Sequence, residues 1–315
     1  MRILVVGAGA TGGYFGARLA QAGRDVTFLV RPRRAATLRE RGLRITGLGE
    51  EEVIAPQLVT APELSAPYDL VLLSVKATAL KQAIDDVAPA IGPQTAIVPL
   101  LNGLAHLAEL NTRFGTQPVL GGVAKIITTL NDEGDIVRLA PLANLTIGEQ
   151  DGGPSPRVEA IHTLLDDAGI DANASTDIIA AMWHKWVFIT TIAAVTCLMR
   201  GTIGDINATA GGSSLGPAVL AEAATVSAAA GFPVPDAQLT ATSALVTQAG
   251  SPLTASLYRD VVAGRPTEVE HVFGDLVTRA RALSVDTPLL DLTTLHLRVH
   301  QHRTAKRALE ELQVR

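Results

Sequence analysis

The N-terminal stretch MRILVVGAGATGG, residues 1–13, contains the pattern that decides the fold. Its apolar run over residues 3–6 predicts a short buried strand, and the pattern G-x-G-x-x-G follows directly at residues 7–12. In such a strand–loop–helix unit, the first glycine permits a tight turn, the second lets the backbone approach a pyrophosphate, and the third allows close helix packing. The N–H groups and positive dipole end of the helix attract phosphate. We therefore predict that a dinucleotide binds at Gly7, Ala8, Gly9, Ala10, Thr11 and Gly12; the alternative is an ordinary glycine-rich turn.

The first half of the chain alternates between strand and helix patterns. Continuous apolar runs, such as DLVLLSV at residues 69–75, are typical of strands that helices cover on both faces of a parallel sheet. The alternation predicts a Rossmann-type, doubly wound parallel sheet of the α/β class. It ends near Ala174, so we predict a dinucleotide-binding domain at 1–174 and an all-helical domain at 175–315. The predicted strands are 3–6, 25–30, 69–75, 96–101, 119–127 and 170–174, and the predicted helices of the first domain are 11–22, 33–41 and 157–168.

Composition excludes several classes of protein. Of the 315 residues, 47% are hydrophobic and 18% are charged, which allows a large core and is the reverse of a disordered chain. The net charge of −5 argues against a nucleic-acid partner. A single cysteine, Cys197, excludes an intrachain disulfide and is typical of the cytoplasm. The apolar run at 186–199 is too short to span a bilayer comfortably, so we interpret it as a core helix and expect no membrane association. Long apolar helices in the second half could also form an interface, which leaves a homodimer open.

The residues after the second predicted strand indicate which dinucleotide binds. NAD-dependent proteins tend to place Asp or Glu there to hold the ribose 2′-hydroxyl. Here the strand is followed by Arg31, Arg33 and Arg34, while Asp25 lies at its opposite end. Because guanidinium groups match phosphate oxygens, we predict NADP(H), with Arg31 as the contact to the 2′-phosphate. A solvated basic helix start is the alternative.

Four further segments carry a resemblance to a known family. They are Ser74-Val75-Lys76, Leu101-Asn102-Gly103, Trp183-His184-Lys185, and SLYRDVVAGRPTE at residues 256–268. With the glycine-rich loop and Arg31, and in this order, they resemble the ketopantoate reductase (2-dehydropantoate 2-reductase) family. The resemblance implies a Rossmann domain, an all-helical second domain and NADPH-dependent reduction of a 2-keto acid, a step that serves pantothenate and coenzyme A biosynthesis.

Lys76 and Asn102 each follow the carboxyl end of a predicted strand. Ligands of open α/β sheets bind at these ends, near the point where the strand order reverses. We therefore expect both residues to contact the cofactor and the substrate. The alternative for each is a polar loop residue.

Lys185 is our candidate for proton transfer. It lies in a helical stretch that is otherwise apolar on almost every side, apart from its neighbour His184. A buried lysine is costly unless it is paired or functional, and burial makes it a better acid. When hydride reaches a ketone carbon, an ammonium group can stabilise the resulting alkoxide and donate its proton. The alternative is a lysine whose stem packs while its head reaches solvent.

The resemblance also assigns roles to Glu268 and Ser256. It implies that Glu268 binds a substrate hydroxyl, with a further ion pair to Lys185, and that Ser256 contacts the substrate carboxylate. Without the resemblance, Glu268 is an ordinary acidic residue early in a helix that Pro266 opens, and Ser256 is an N-cap. The resemblance places the substrate in a cleft between the domains.

Two positions depart from the family pattern. Well-known members have Asn four residues after the catalytic lysine and Asn five residues after the glutamate, where this chain has Ile189 and Phe273. Sites that hydrogen-bond substrate hydroxyls discriminate strongly through such groups, so a more apolar 2-keto acid or ketone is an open alternative. A non-catalytic NADP(H)-binding regulatory protein is a third reading, although it would have no need of Lys185 and Glu268.

His296 and His300 have a spacing that can bind zinc on a helix. The residues between them lack the glutamate of a zinc protease and include Arg298. Because no third ligand is in view, we expect no metal site there.

Overall fold

A computed structural model describes residues 1–313. The chain divides into two compact units, one from Met1 to Met182 and one from Trp183 onward. The division falls inside a helix, Ile178–Met199, that begins after the predicted domain boundary at Ala174.

The first unit contains all the strands in the described part of the chain. They are β1 (Arg2–Val6), β2 (Asp25–Leu29), β3 (Leu43–Gly47), β4 (Glu50–Ile54), β5 (Gln57–Val59), β6 (Leu70–Leu73), β7 (Ala96–Pro99), β8 (Gly121–Leu130), β9 (Ile136–Gly148) and β10 (Asp171–Ala174). Its helices are α1 (Ala10–Gln21), α2 (Pro32–Arg41), α3 (Leu80–Val87), α4 (Ala105–Phe114) and α5 (Pro156–Asp166).

The main sheet is parallel and has the order β5-β2-β1-β6-β7. The order reverses at β1, as in a doubly wound fold. Residues 3–6 of β1 and all of β6 are apolar and buried, as is typical of strands covered on both faces, and Ile3, Leu4 and Val5 have no exposed surface. Glycines let α1 lie close to this sheet: a Cβ at Gly16 would lie 2.5 Å from the ring of Phe28. The predicted α/β class with a Rossmann-type sheet is confirmed.

A second sheet has the order β10-β9-β3-β4, with β8 paired antiparallel to β9. We predicted residues 119–127 as another strand of the alternating series, but only a bridge between Val119 and Ile97 joins the main sheet, and β8 then turns away. The sequence patterns did not predict β3, β4 or β9. Strand β4 begins with three glutamates, which are unfavourable in strands. Salt bridges from Arg18 and Arg138, both distant in sequence, offset their charge.

The second unit is helical in its described part, as predicted. After α6 (Ile178–Met199) come α7 (Ile203–Asn207), α8 (Gly212–Ala229), α9 (Asp236–Val246), α10 (Ser256–Val262), α11 (Asp275–Ala282) and α12 (Pro288–Gln313). A π-helical turn, Glu270–Gly274, leads directly into α11. Among residues 1–313, α6 is the one helix long and apolar enough to cross a membrane, but 61% of its most apolar window is buried within the protein. That burial is typical of a core helix.

Candidate functional site

The glycine-rich loop joins β1 to α1, and its three motif glycines have different surroundings. Gly7 has φ +94°, donates its N–H to the Leu29 carbonyl at 3.0 Å, and would place a Cβ 2.7 Å from the Ser74 carbonyl. A Cβ at Gly12 would lie 2.5 Å from the Gly7 carbonyl oxygen. A Cβ at Gly9, in contrast, would meet no atom within 4 Å. Gly7 and Gly12 therefore serve the protein's own packing, whereas Gly9 borders open space.

The start of α1 suits an anion. The helix begins at Ala10 with Gly9 as its N-cap, which provides no side-chain acceptor for the first N–H groups. No acidic residue lies in the first turn. Ala8 is buried, while Ala10 and Thr11 are half-buried. The N–H groups and the positive helix end thus fit a pyrophosphate beside Gly9, where backbone can approach it closely.

The register of the parallel sheet brings the predicted cofactor residues to one edge. Val6 is opposite Leu29 on one side and Leu73 on the other, and Leu73 is opposite Pro99. The chain therefore leaves all four strands at the same level, because parallel strands share their carboxyl edge. The residues that follow these strand ends are the glycine-rich loop, Arg31, Lys76 and Asn102.

The three arginines after β2 differ in their environment. Arg31 is exposed, with extended backbone (φ −67°, ψ 152°) at the N-cap of α2, and Arg33 is exposed as well. Arg34 is half-buried and donates to the carbonyls of Ala8 and Gly134. Burial lowers the pKa of its guanidinium, which remains a cation at neutral pH. The fold thus separates Arg34, which bonds to the glycine-rich loop, from the exposed Arg31 and Arg33.

Lys76 and Asn102 lie just past β6 and β7. Lys76 is exposed, with extended backbone, before a short 3-10 turn at Ala77–Ala79. Asn102 is half-buried and precedes Gly103, whose φ of +74° turns the chain towards α4. Neither residue is part of a strand, and both lie at the carboxyl edge of the sheet.

Lys185 is the only Lys, Arg, Asp or Glu in the 22 residues of α6. Lys185 is half-buried, and its near neighbours in sequence, Trp183 and Trp186, are buried.

Aromatic contacts hold α6 within the second unit. The Trp186 indole donates to the Val272 carbonyl at 2.8 Å, in the π-helical turn, and its ring lies 5.0 Å from that of Trp183. The guanidinium of Arg279 lies 5.8 Å from both rings. Trp186 was not among the predicted site residues. A large aromatic residue beside the lysine does not by itself distinguish a core residue from a positioning one. π-Helical turns recur at functional sites, and this one begins two residues after Glu268.

Glu268 is half-buried and precedes the helix rather than lying within it. Pro266 and Thr267 are not helical, and the helical backbone starts at Val269. The Glu268 carbonyl accepts the Val272 N–H at 3.0 Å, and the Thr267 N–H donates to Gln301 of α12 at 2.8 Å. Hydrogen bonds from the N–H of Thr267 and to the carbonyl of Glu268 thus hold this segment in place. Our expectation of a helix opened by Pro266 was wrong, because the first helical turn forms three residues later.

Ser256 is the first residue of α10 and is exposed, whereas Ala255 occupies the N-cap position. The N-cap alternative for Ser256 was therefore wrong by one residue.

The two positions that depart from the family pattern have unlike environments. Ile189 is half-buried one helical turn after Lys185, so an apolar side chain lies on the same face of α6 as the amine. Phe273 has no exposed surface and belongs to the core of the second unit. The change at Phe273 therefore concerns packing, and Ile189 is the departure that bears on the candidate site.

His296 and His300, whose spacing on a helix can bind zinc, both lie on α12. Within residues 1–313, no group of three or more His, Cys, Asp and Glu side chains could hold a metal ion. The His300 ring contacts the Arg265 carbonyl at 2.9 Å, and burial lowers the pKa of His296.

Two family models match most of the chain. The model described as Ketopantoate reductase PanE/ApbA matches residues 3–152, and its C-terminal counterpart matches residues 177–301. A Bacillus subtilis protein called uncharacterized oxidoreductase YkpB is 33% identical and covers 96% of this chain and 99% of its own length. A 2-dehydropantoate 2-reductase of Mesorhizobium japonicum is 27% identical, covering 92% and 95%.

Solved structures agree with this similarity. The crystal structure of 2-dehydropantoate 2-reductase from Geobacter metallireducens has a TM-score of 0.86 at 26% identity, covering 95% of this chain and 99% of that one. The match extends through both units, from the glycine-rich loop to the segment after Glu268. The chain therefore belongs to the ketopantoate reductase family of oxidoreductases.

Proposed function

We propose that this protein is an NADPH-dependent reductase that converts the keto group of a 2-oxo acid to a hydroxyl, with 2-dehydropantoate as substrate and pantoate as product. The observation that carries the proposal is the shared carboxyl edge of β1, β2, β6 and β7, which presents the glycine-rich loop, Arg31, Lys76 and Asn102 together. Family membership supports the reductase chemistry. The reaction would serve pantothenate and coenzyme A biosynthesis in the cytoplasm.

The cofactor, when bound, supplies the hydride. The loop at Gly9 and the N-terminus of α1 would hold its pyrophosphate, and Arg31 would pair with its 2′-phosphate. Arg31 is exposed at the end of β2 and has extended backbone, which leaves its guanidinium accessible to such a group. Asn102 and Lys76 would orient the nicotinamide and the substrate.

Residues of the second unit would donate the proton and bind the polar groups of the substrate. As the keto carbon gains hydride, its oxygen gains negative charge, and the Lys185 ammonium would stabilise that charge and transfer one proton to it. Glu268 would hold a substrate hydroxyl and pair with the lysine. Ser256, exposed at the start of α10, would donate to the substrate carboxylate.

Ile189 favours a second candidate substrate, a 2-keto acid with a more apolar side chain. Its side chain lies one turn from Lys185 and offers no hydrogen bond to the hydroxyl of 2-dehydropantoate. A site that lacks a hydrogen-bonding partner discriminates weakly in favour of a hydroxylated substrate. The ratio of kcat/KM for 2-dehydropantoate to that for an apolar 2-keto acid distinguishes the two candidates. We expect Ile189→Asn to raise this ratio.

The deciding experiment measures NADPH oxidation with a panel of 2-keto acids, using the wild type, Lys185→Met and Lys81→Met. Lys81 is an exposed lysine of α3 and is the matched control. We expect Lys185→Met to lower kcat about 100-fold or more while NADPH affinity stays within about twofold, since general acid catalysis contributes at least that factor. Lys81→Met should match the wild type. If the wild type binds NADPH and reduces none of the acids, the proposal is wrong and a regulatory NADP(H)-binding protein is favoured.

A further inference from the structure

Arg34 connects the glycine-rich loop to a distant hairpin. It lies in the first turn of α2, and one nitrogen, Nη2, donates to the Ala8 carbonyl at 3.2 Å and to the Gly134 carbonyl at 2.8 Å. Ala8 is in the loop after β1, whereas Gly134 is in the turn between β8 and β9, 100 residues further along the chain than Arg34. Arg31 and Arg33, its neighbours in sequence, are exposed.

The hairpin turn is a fixed anchor for this contact. The Asp135 N–H donates to the Asn131 side chain at 2.7 Å, and the Asn131 N–H donates back to the Asp135 carbonyl at 3.0 Å. Arg41 of α2 donates to the Glu133 carbonyl at 2.9 Å and pairs with the Asp135 carboxylate at 3.2 Å. The next residue, Ile136, is fully buried. Because the turn is held from several sides, the guanidinium that bridges to it has a defined position.

The bond to Ala8 acts on one particular peptide group. The carbonyl of Ala8 and the N–H of Gly9 belong to the same planar trans peptide, so they point in opposite directions. Holding the carbonyl fixes the orientation of that N–H. Gly9 is also the loop residue at which a Cβ would meet no atom within 4 Å.

We propose that Arg34 is a positioning residue for dinucleotide binding, which orients the Ala8–Gly9 peptide against the hairpin turn so that the loop is formed before the cofactor arrives. The inference rests on the proposed function, in which the pyrophosphate lies beside Gly9. Arg34 acts through the loop and makes no contact with the 2′-phosphate. Its contribution is therefore the same for NADPH and for NADH, which share the pyrophosphate and differ at the 2′ position.

The test compares the dissociation constants of NADPH and NADH, measured by fluorescence titration of the full-length protein. Arg34→Met retains the aliphatic stem and removes the donors, so we expect both affinities to fall by a similar factor of about 10 to 100, the value of a charge-assisted hydrogen bond. Arg34→Lys keeps one compact donor and should lose less. Arg31→Met should lower the affinity for NADPH and leave the affinity for NADH unchanged.

Two controls separate positioning from general damage. Arg39→Met alters an exposed arginine of the same helix and should match the wild type. Arg41→Met removes one support of the hairpin turn, while the Asn131–Asp135 hydrogen bonds keep the turn in place. It should therefore lower the melting temperature while changing both affinities less than twofold. If Arg34→Met does not fold, the affinities of Arg34→Lys are compared with those of the wild type instead.

Three results would overturn the inference. Arg34 variants that bind both dinucleotides like the wild type would show that the loop needs no such support. A loss confined to NADPH would assign Arg34 to the 2′-phosphate, and an equal loss in Arg41→Met would attribute the effect to the hairpin as a whole. A wild type that binds neither dinucleotide would instead refute the proposed function itself, together with the inference that rests on it.

Discussion

Replacing Gly9 and Gly12 by alanine should have opposite consequences, although both residues belong to one motif. At Gly12 the added methyl group would lie 2.5 Å from the Gly7 carbonyl oxygen and 2.7 Å from the Ser74 Cβ. At Gly9 it would meet no atom within 4 Å, and the backbone there (φ −87°, ψ −167°) is one that alanine adopts readily. Gly12→Ala therefore strains the protein itself, whereas Gly9→Ala would clash only with a ligand bound beside the loop.

The magnitudes follow from these contacts. Overpacking at Gly12 should cost about 1–3 kcal/mol of the free energy of unfolding, because a backbone oxygen cannot move aside as a flexible side chain would. Gly9→Ala should leave that free energy unchanged or raise it by about 0.4–1 kcal/mol, since alanine restricts the unfolded chain. If a pyrophosphate lies against Gly9, the same overpacking cost of about 1–3 kcal/mol falls on binding and weakens NADPH about 5- to 150-fold.

The assay combines urea denaturation, followed by circular dichroism, with fluorescence titration of NADPH. The expected pattern is a stable Gly9→Ala with weak binding and a destabilised Gly12→Ala. The reasoning is refuted if Gly9→Ala binds NADPH as tightly as the wild type, or if it is destabilised as much as Gly12→Ala.

Three further predictions concern stability and reactivity. Burial raises the pKa of the Cys197 thiol to about 12, so the native protein should not react with iodoacetamide at pH 8, and labelling should require unfolding; rapid native labelling, read by mass spectrometry, would contradict this. A bidentate hydrogen bond from Arg157 holds the pKa of Glu149 below its usual range, so the pair stabilises the fold above about pH 4.5 and its contribution is lost as the pH falls through the lowered pKa. Glu149→Gln should thus cost about 1–3 kcal/mol at pH 7 and progressively less in acid, whereas a cost that does not vary with pH in denaturation curves would argue against this ion pair. Trp186→Phe leaves the buried Val272 carbonyl without its indole donor and should lower the free energy of unfolding by about 1–3 kcal/mol, and an unchanged denaturation midpoint would indicate that the bond contributes nothing.

The sequence predicted the elements whose signals are local. Strand β1 and helix α1 were predicted within a residue of their observed ends, because an apolar run, a glycine-rich turn and a helical pattern follow each other without interruption. The helices of the second half were equally predictable from sequence, since their apolar residues recur at helical spacing. Strand β4 could not be predicted in this way, because glutamates are unfavourable in strands. Its glutamates form salt bridges with Arg18 and Arg138, and no local sequence pattern connects these arginines to them.

The sequence patterns could not predict side-chain roles that depend on a partner distant along the chain. Arg31 and Arg34 are both basic residues at the start of one helix, and the sequence favoured Arg31 as the phosphate contact without giving Arg34 a role. Folding leaves Arg31 exposed and brings Arg34 to the carbonyls of Ala8 and Gly134. Likewise, Ile189 and Phe273 both replace amides in the family pattern, yet only Ile189 retains exposed surface.

The fold class, the glycine-rich loop after β1 and the family could be predicted from the amino-acid sequence, because each depends on motifs whose residues lie close together along the chain. Folding alone revealed which of the loop's glycines border open space, which arginine bonds to the loop, and which departure from the family pattern keeps exposed surface. The physical reason is that burial and hydrogen-bond partners are set by long-range packing, and residues of identical chemistry acquire different roles when that packing gives them different neighbours.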